Sequence, residues 1–197
     1  MPIASKPENF LVLQVDVSKH TKWLETDRLD NAKWLKKHHA RKELAKQIIN
    51  ILKKYGFAAN LWKGDGGVFF CKADGKPNYD FIVNAGDELY DLFEKWKANH
   101  KDLDTPPLDL RVSVDLEFII AEDEPCFWTS YVLNRFLKHE NVMGQYGFTI
   151  SRKIHEKLSQ NLQIRFKLDL RSGTKADMVY FNVDSVHTLK VDKNAFS

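Results

Sequence analysis

The chain has 197 residues, 43% of them hydrophobic and 29% charged, which suits one domain able to bury a core without disulfides or structural metals. Its 30 basic and 27 acidic residues leave a formal net charge of +3. The lysines are spread out rather than massed with aromatic residues, which argues against a nucleic-acid surface. No run approaches the roughly 20 apolar residues of a membrane helix, and the start, MPIASKPENF, lacks the pattern of a secretory leader.

In chain order, residues 10–17 (FLVLQVDV) form an apolar, β-branched run that reads as a central strand, with Asp16 near its end. Residues 31–55 read as a long helix: Ala40, Leu44, Ile48 and Leu52 make one apolar stripe, lysines and arginines cover the rest, and Gly56 ends it. Residues 57–62 and 68–71 read as the two strands of a hairpin, joined by KGDGG at 63–67 with Asp65 at its tip. A second helix is expected over about 82–99, then a loop with Asp102, Asp104 and the Pro106–Pro107 pair. Residues 108–120 alternate as a long strand, and 127–139 read as a short helix. Residues 146–151 are strand-like, with a brief helix in RKIHEKL. Residues 162–170 and 177–184 form a late hairpin around Arg171, Ser172 and Gly173. This order predicts an α+β fold, a mostly antiparallel sheet with packed helices whose first half is a split β-α-β-β-α-β unit. The expected division is an N-terminal tail at 1–8, a domain at 9–190 and a C-terminal tail at 191–197. Cys71 and Cys126 sit in or beside apolar runs and read as buried thiols of a reducing compartment, with the cytoplasm as the expected location.

The chemistry centres on Asp16 and Asp65. In a β-α-β-β unit the first strand and the hairpin can be sheet neighbours, so the two carboxylates can share a pair of divalent cations, the usual clamp for phosphoryl transfer. Oxygen ligands suit magnesium or manganese better than zinc. Gly64, Gly66 and Gly67 allow close approach of a phosphate–metal complex. Residues 17–21 can turn into a helix and present N–H groups to phosphate. The same pattern also reads as an ordinary hairpin turn and an ordinary strand end. His38 and His39 read as solvated, and His20 lies near the expected phosphates without an evident partner.

LVLQVDVSKHT resembles the first metal motif of the class III nucleotidyl cyclases, with Asp16, Val17 and Thr21 matching and His20 in the usual place of Phe. NLWKGDGGVFF resembles the second metal motif through Gly64 and Asp65, with Lys63 in an apolar place. LRVSV at 110–114 resembles the next core strand. In YVLNRFLKHENVMGQYGFTISRKIHEKL, Asn134 falls on the family's Asn, Lys138 on its Arg and Ser151 on the Ser that follows. The resemblance covers roughly residues 9–183.

It implies a ferredoxin-like, palm-type cyclase fold and a homodimer with shared active sites, needing Mg2+ or Mn2+, two ions per site. Asp16, Asp65 and the Val17 backbone carbonyl would hold the metals, and Ser18, Lys19, His20 and Thr21 would meet the substrate phosphates. From the other subunit, Asn134 would orient the ribose and Lys138 would balance phosphate charge, although Lys lacks the planar fork of Arg. The family's adenine-reading positions correspond to Leu61 and Phe127, which form no hydrogen bonds to a base, with Tyr131 nearby. These departures resemble the pyrimidine cyclases of bacterial Pycsar antiphage systems. That resemblance implies conversion of UTP to 3′,5′-cyclic UMP and a separate effector reached through the product. The alternatives are a cytidylate, adenylyl or guanylyl cyclase, a diguanylate cyclase, and a catalytically degenerate cyclase-like module that binds a partner.

Overall fold

The computed structural model describes residues 7–103, 108–120, 148–169 and 180–182. Among the described residues, seven strands form one sheet in the order β2-β3-β1-β4-β5-β7-β6. They are β1 (Pro7–Ser18), β2 (Ala58–Lys63), β3 (Gly66–Lys72), β4 (Asp109–Ile120), β5 (Phe148–Ser151), β6 (Lys167–Asp169) and β7 (Tyr180–Asn182). Every pairing is antiparallel except the parallel β4–β5 pair. The helices are α1 (His20–Glu25), α2 (Asn31–Lys54), α3 (Asp80–Asn99), α4 (Arg152–His155) and α5 (Gln160–Gln163), with a 3-10 turn at Lys101–Leu103. The order β2-β3-β1-β4 is the split β-α-β-β-α-β unit expected from the sequence. No described helix is long and apolar enough to cross a membrane.

Alternation divides β1 between two environments. Leu11, Leu13, Val15 and Val17 enter the core shared with the helices, as do Phe69 and Cys71 of β3 and Leu110, Val112 and Val114 of β4. Asp16 and Arg111 therefore belong to the opposite set of positions. The helical layer is locked by specific contacts. Trp96 Nε1 donates to Ala40 O at 3.0 Å, Trp23 Nε1 donates to Leu103 O at 3.2 Å, and the two indoles meet edge to face at 5.7 Å. At Gly86 a Cβ would come within 2.7 Å of Phe148 Cε1, so glycine lets α3 lie close over β5.

α2 begins and ends where its sequence directs. Asp30 caps it, accepting from Ala32 N and Lys33 N at 3.1 Å each. Gly56, at φ 85°, closes it: Gly56 N donates to Lys53 O and Phe57 N to Leu52 O, the paired bonds of a Schellman motif. Ala40, Leu44, Ile48 and Leu52 are buried as expected. Lys37 corrects the expectation that the lysines of α2 cover its outer face. It lies three residues before Ala40 on the same stripe and is fully buried. Its ammonium donates to Trp23 O at 2.8 Å, pairs with Asp27 and sits 5.3 Å from the Trp23 ring centroid.

Two further elements differ from expectation. Residues 20–25 form α1, the turn into a helix expected around residues 17–21, but as a separate short helix ahead of α2. Residues 160–163, which overlap the start of the expected late strand, are helical, and among the described residues the strand begins only at Lys167. Leu162, Ile164 and Phe166 alternate like a strand, but the backbone closes local bonds instead, with Leu162 N and Gln163 N donating to Ser159 O. The expected helix at 127–139, Cys126 and the turn at 171–173 lie outside the described residues.

Candidate functional site

Three neighbouring strands build the site. β1 pairs with β3 through Asp16 and Gly66, and with β4 through Asp16 and Arg111. The β2–β3 hairpin turns on two residues, Gly64 and Asp65. Gly64 has φ 67° and Asp65 does not have positive φ, the pattern of a type II′ turn. The turn is narrower than the five-residue KGDGG loop expected from the sequence. Asp65 O accepts from Val17 N at 3.0 Å, which pins the hairpin tip to the end of β1. Gly66 allows that approach, since a Cβ there would run into Val15 O.

After Ser18, Lys19 takes a left-handed conformation (φ 61°, ψ 9°) and redirects the chain into α1. For a residue with a Cβ this conformation is uncommon. α1 has no side-chain cap, and its first intrahelical bond runs from Trp23 N to Lys19 O. The N–H groups of its first turn thus lack intrahelical partners and suit an anion.

Asp16, Val17, Ser18, Lys19, His20, Thr21, Asp65 and Arg111 line one cleft of about 380 Å³. The structure thus brings together both expected metal-binding aspartates and all four expected phosphate-contacting residues. Ser18 is buried, and its Oγ accepts from Asp109 N at 3.2 Å. The hydroxyl keeps its own proton to donate. His20 is 5% exposed, and its Nε2 has no hydrogen-bond partner. Burial lowers the His20 pKa; Asp65 acts in the opposite direction, and Arg41 and His38 lower it further. Neutral imidazole is therefore the favoured form at neutral pH.

Arg111 is a site residue that the sequence reading did not single out. Its Nη1 lies 3.8 Å from Asp16 Oδ2, with the two side chains 26% and 14% exposed. At that distance the pair is electrostatic rather than hydrogen-bonded. The alternation of LRVSV placed Arg111 and Ser113 on one face, but only the β1–β4 register shows that Arg111 faces Asp16. A second cleft, of about 300 Å³, shares His20, Thr21 and Asp65 with the first and includes His38, Arg28 and Arg41. His38 is half-buried there, with its ring 3.9 Å from that of Trp34, which corrects the expectation that it is solvated.

Among the described residues no three His, Cys, Asp or Glu side chains cluster as a metal site. Asp16, Asp65 and the Val17 carbonyl offer hard oxygen donors, so the residues fit magnesium or manganese with water and substrate oxygens completing the shell. Leu61 lies in β2 opposite Val68, after a register shift between Ala59 and Leu61. Phe127, Tyr131, Asn134 and Lys138 lie outside the described residues.

The sequence matches no family model and no curated protein. The fold is shared with solved structures. The guanylyl cyclase Cya2 superposes with a TM-score of 0.61 at 13% identity, over 93% of this chain and 95% of that one. The guanylyl cyclase domain of the RhoGC fusion protein from the aquatic fungus Blastocladiella emersonii gives 0.60 at 13% identity, over 92% and 98%. The adenylyl cyclase CyaB from P. aeruginosa gives 0.54 at 13% identity, over 93% and 97%. The chain thus has the class III nucleotidyl cyclase-like fold: a mostly antiparallel sheet with packed helices.

Proposed function

We propose that this chain is a nucleotidyl cyclase that converts a nucleoside triphosphate to a 3′,5′-cyclic nucleotide and pyrophosphate. The observation that carries the reading is the shared cleft: Asp16 and Asp65 face the Ser18–Thr21 turn and Arg111 across one cavity. In this reaction the ribose 3′-oxygen bonds to the α-phosphorus, the bond from that phosphorus to the bridging oxygen breaks, and the hydroxyl proton passes to solvent. Asp16, Asp65 and the Val17 carbonyl would hold two divalent cations. When bound, those ions would favour ionisation of the 3′-hydroxyl and offset charge on the phosphates. Arg111 and Lys19 add fixed positive charge at the cleft wall. The Thr21 hydroxyl and the first-turn N–H groups of α1 provide donors to phosphate oxygens. Buried His20, neutral at pH 7, would donate from one ring nitrogen without adding charge.

The solved neighbours are named as guanylyl and adenylyl cyclases, which favours a purine triphosphate. A second reading, UTP as substrate with cyclic UMP as a signal to a separate effector in antiphage defence, draws on the identities of Leu61 and Phe127. Neither side chain can read a polar base edge, and large walls favour a smaller base. In both readings the enzyme is a homodimer, with Asn134 and Lys138 of one subunit completing the site of the other. Incubation with ATP, GTP, CTP and UTP in turn, with manganese and mass spectrometry of the products, tests the function and decides the base. Absence of any cyclic nucleotide from folded protein contradicts the proposal.

A further inference from the structure

Arg28–Lys36 are nine consecutive residues, and every one is exposed. They end the α1–α2 connection and form the first six residues of α2. A helix on a folded domain ordinarily turns an apolar stripe inward from its start, but the buried stripe of α2 begins only at Lys37 and Ala40. The projecting stretch nevertheless carries Leu29, Trp34 and Leu35, three of the four large hydrophobic side chains that are exposed among the described residues. The projection is firmly rooted. The fully buried Lys37 pairs with Asp27 and donates to Trp23 O at 2.8 Å, so the Asp27–Lys37 pair clasps the two ends of the stretch. Within it, Asp30 N donates to Asp27 O at 2.9 Å, and the Asp30 carboxylate caps α2 through Ala32 N and Lys33 N. The charge around it is one-sided. Residues 19–46 hold nine lysines and arginines against four carboxylates, although the whole chain carries only +3. Asp27 and Asp30 are already engaged by Lys37 and by the cap. Lys22, Arg28, Lys36 and Lys42 belong to no ion pair among the described residues. His39 and Lys42 continue the exposed face of Leu35 along α2.

We propose that Arg28–Lys36 is a docking tip for an anionic phospholipid surface, with Leu29, Trp34 and Leu35 entering the headgroup region and Arg28, Lys33 and Lys36 meeting lipid phosphates. Exposed leucines beside lysines and arginines, with a tryptophan at the boundary, match a surface that is apolar below and negative above. A nucleic-acid backbone would use the cations and leave the leucines in water. A projection meets a fluid interface without the matched, packed surface that a protein partner must supply. No described helix is long and apolar enough to cross a membrane, and docking at the surface needs none. Because the tip is held in place before docking, little ordering is lost on contact. The inference is independent of the cyclase reading, since none of these residues is assigned to the chemistry.

Co-sedimentation of the full chain with vesicles tests the proposal, using phosphatidylcholine alone and phosphatidylcholine mixed with phosphatidylglycerol. Wild-type protein should partition onto the anionic vesicles at least about tenfold more strongly than onto the neutral ones, and less so as salt is raised. Leu29→Ser/Leu35→Ser should lower that partitioning at least about tenfold through lost apolar insertion. Arg28→Gln/Lys36→Gln should lower it by a similar factor through lost charge. All four side chains are exposed, so both variants should melt at the wild-type temperature, which separates lost docking from lost folding. No binding of wild-type protein to anionic vesicles overturns the inference. So does undiminished binding of Leu29→Ser/Leu35→Ser, which would reduce the contact to adsorption of charge. Sedimentation without vesicles addresses the competing occupant: wild-type self-association that Leu29→Ser/Leu35→Ser abolishes would assign the tip to a second copy of the chain and overturn the lipid assignment.

Discussion

Asp16 differs from an ordinary strand carboxylate through its neighbours: Gly66 and Arg111 on the flanking strands, and Asp65 across the cleft. Asp16→Asn and Asp65→Asn keep the side-chain volume and remove the charge. Each should lower triphosphate turnover at least about 100-fold, on the scale of other lost electrostatic contacts in active sites. The melting temperature should stay close to wild type; turnover equal to wild type in either variant contradicts their role. Gly66 has a different task. Its Cβ would collide with Val15 O, so Gly66→Ala must move β3 away from β1 and carry Asp65 with it. Destabilisation of about 1–3 kcal/mol is expected, as for overpacking elsewhere, together with lost turnover, measured by denaturant unfolding and pyrophosphate release. The two aspartates were legible in the sequence because each sits at a recognisable break, one at a strand end and one in a glycine turn. Arg111 was not, because an arginine in an alternating strand looks solvated until the register places it.

α1 and the start of α2 reach the site through one buried cation. Lys37 ties Trp23 of α1 and Asp27 of the connecting segment to α2, and this same connection carries Arg28. Lys37→Met keeps the bulk and loses both polar contacts, so its melting temperature at pH 7 should fall by several degrees. The Lys37 hydrogen bond holds the Asp27 carboxyl below its ordinary value of 3.8. A carboxyl with a lowered folded-state pKa stabilises the fold above its unfolded value, and that contribution disappears as pH falls through the folded value. The gap between wild type and Lys37→Met should therefore be full at neutral pH and narrow below pH 3.8; a gap constant with pH contradicts the pairing. The phase of the apolar stripe already places Lys37 in line with Ala40, Leu44 and Ile48, but its partners come from a turn whose path the sequence does not specify. α5 was misread for the opposite reason: Leu162, Ile164 and Phe166 have strand spacing, while Ser159 O collects two amide donors and closes a helical turn. Long elements were legible for two reasons: β1 is a continuous apolar run, and in α2 and β4 many residues repeat one period.

For the whole molecule, a composite site makes a prediction that no single chain can satisfy. Asp65→Ala mixed with Lys138→Ala should recover part of the activity lost by each, because a heterodimer holds one intact site. Random pairing limits heterodimers to about half of all dimers. No recovery after proven subunit exchange contradicts the shared-site arrangement. The overall topology was legible from the element order, and the sheet order β2-β3-β1-β4 agrees with it. The base that the proposed cyclase would accept was less legible: the residues expected to meet it, Leu61 and Phe127, come from separate segments, and Phe127 lies outside the described residues. The most direct test of the central claim is mass spectrometry of products from wild-type protein and Asp65→Asn, each incubated with the four nucleoside triphosphates and manganese. A 3′,5′-cyclic nucleotide from wild-type protein that disappears in Asp65→Asn is the predicted result. No cyclic product from folded wild-type protein, or equal product from the variant, would contradict the account.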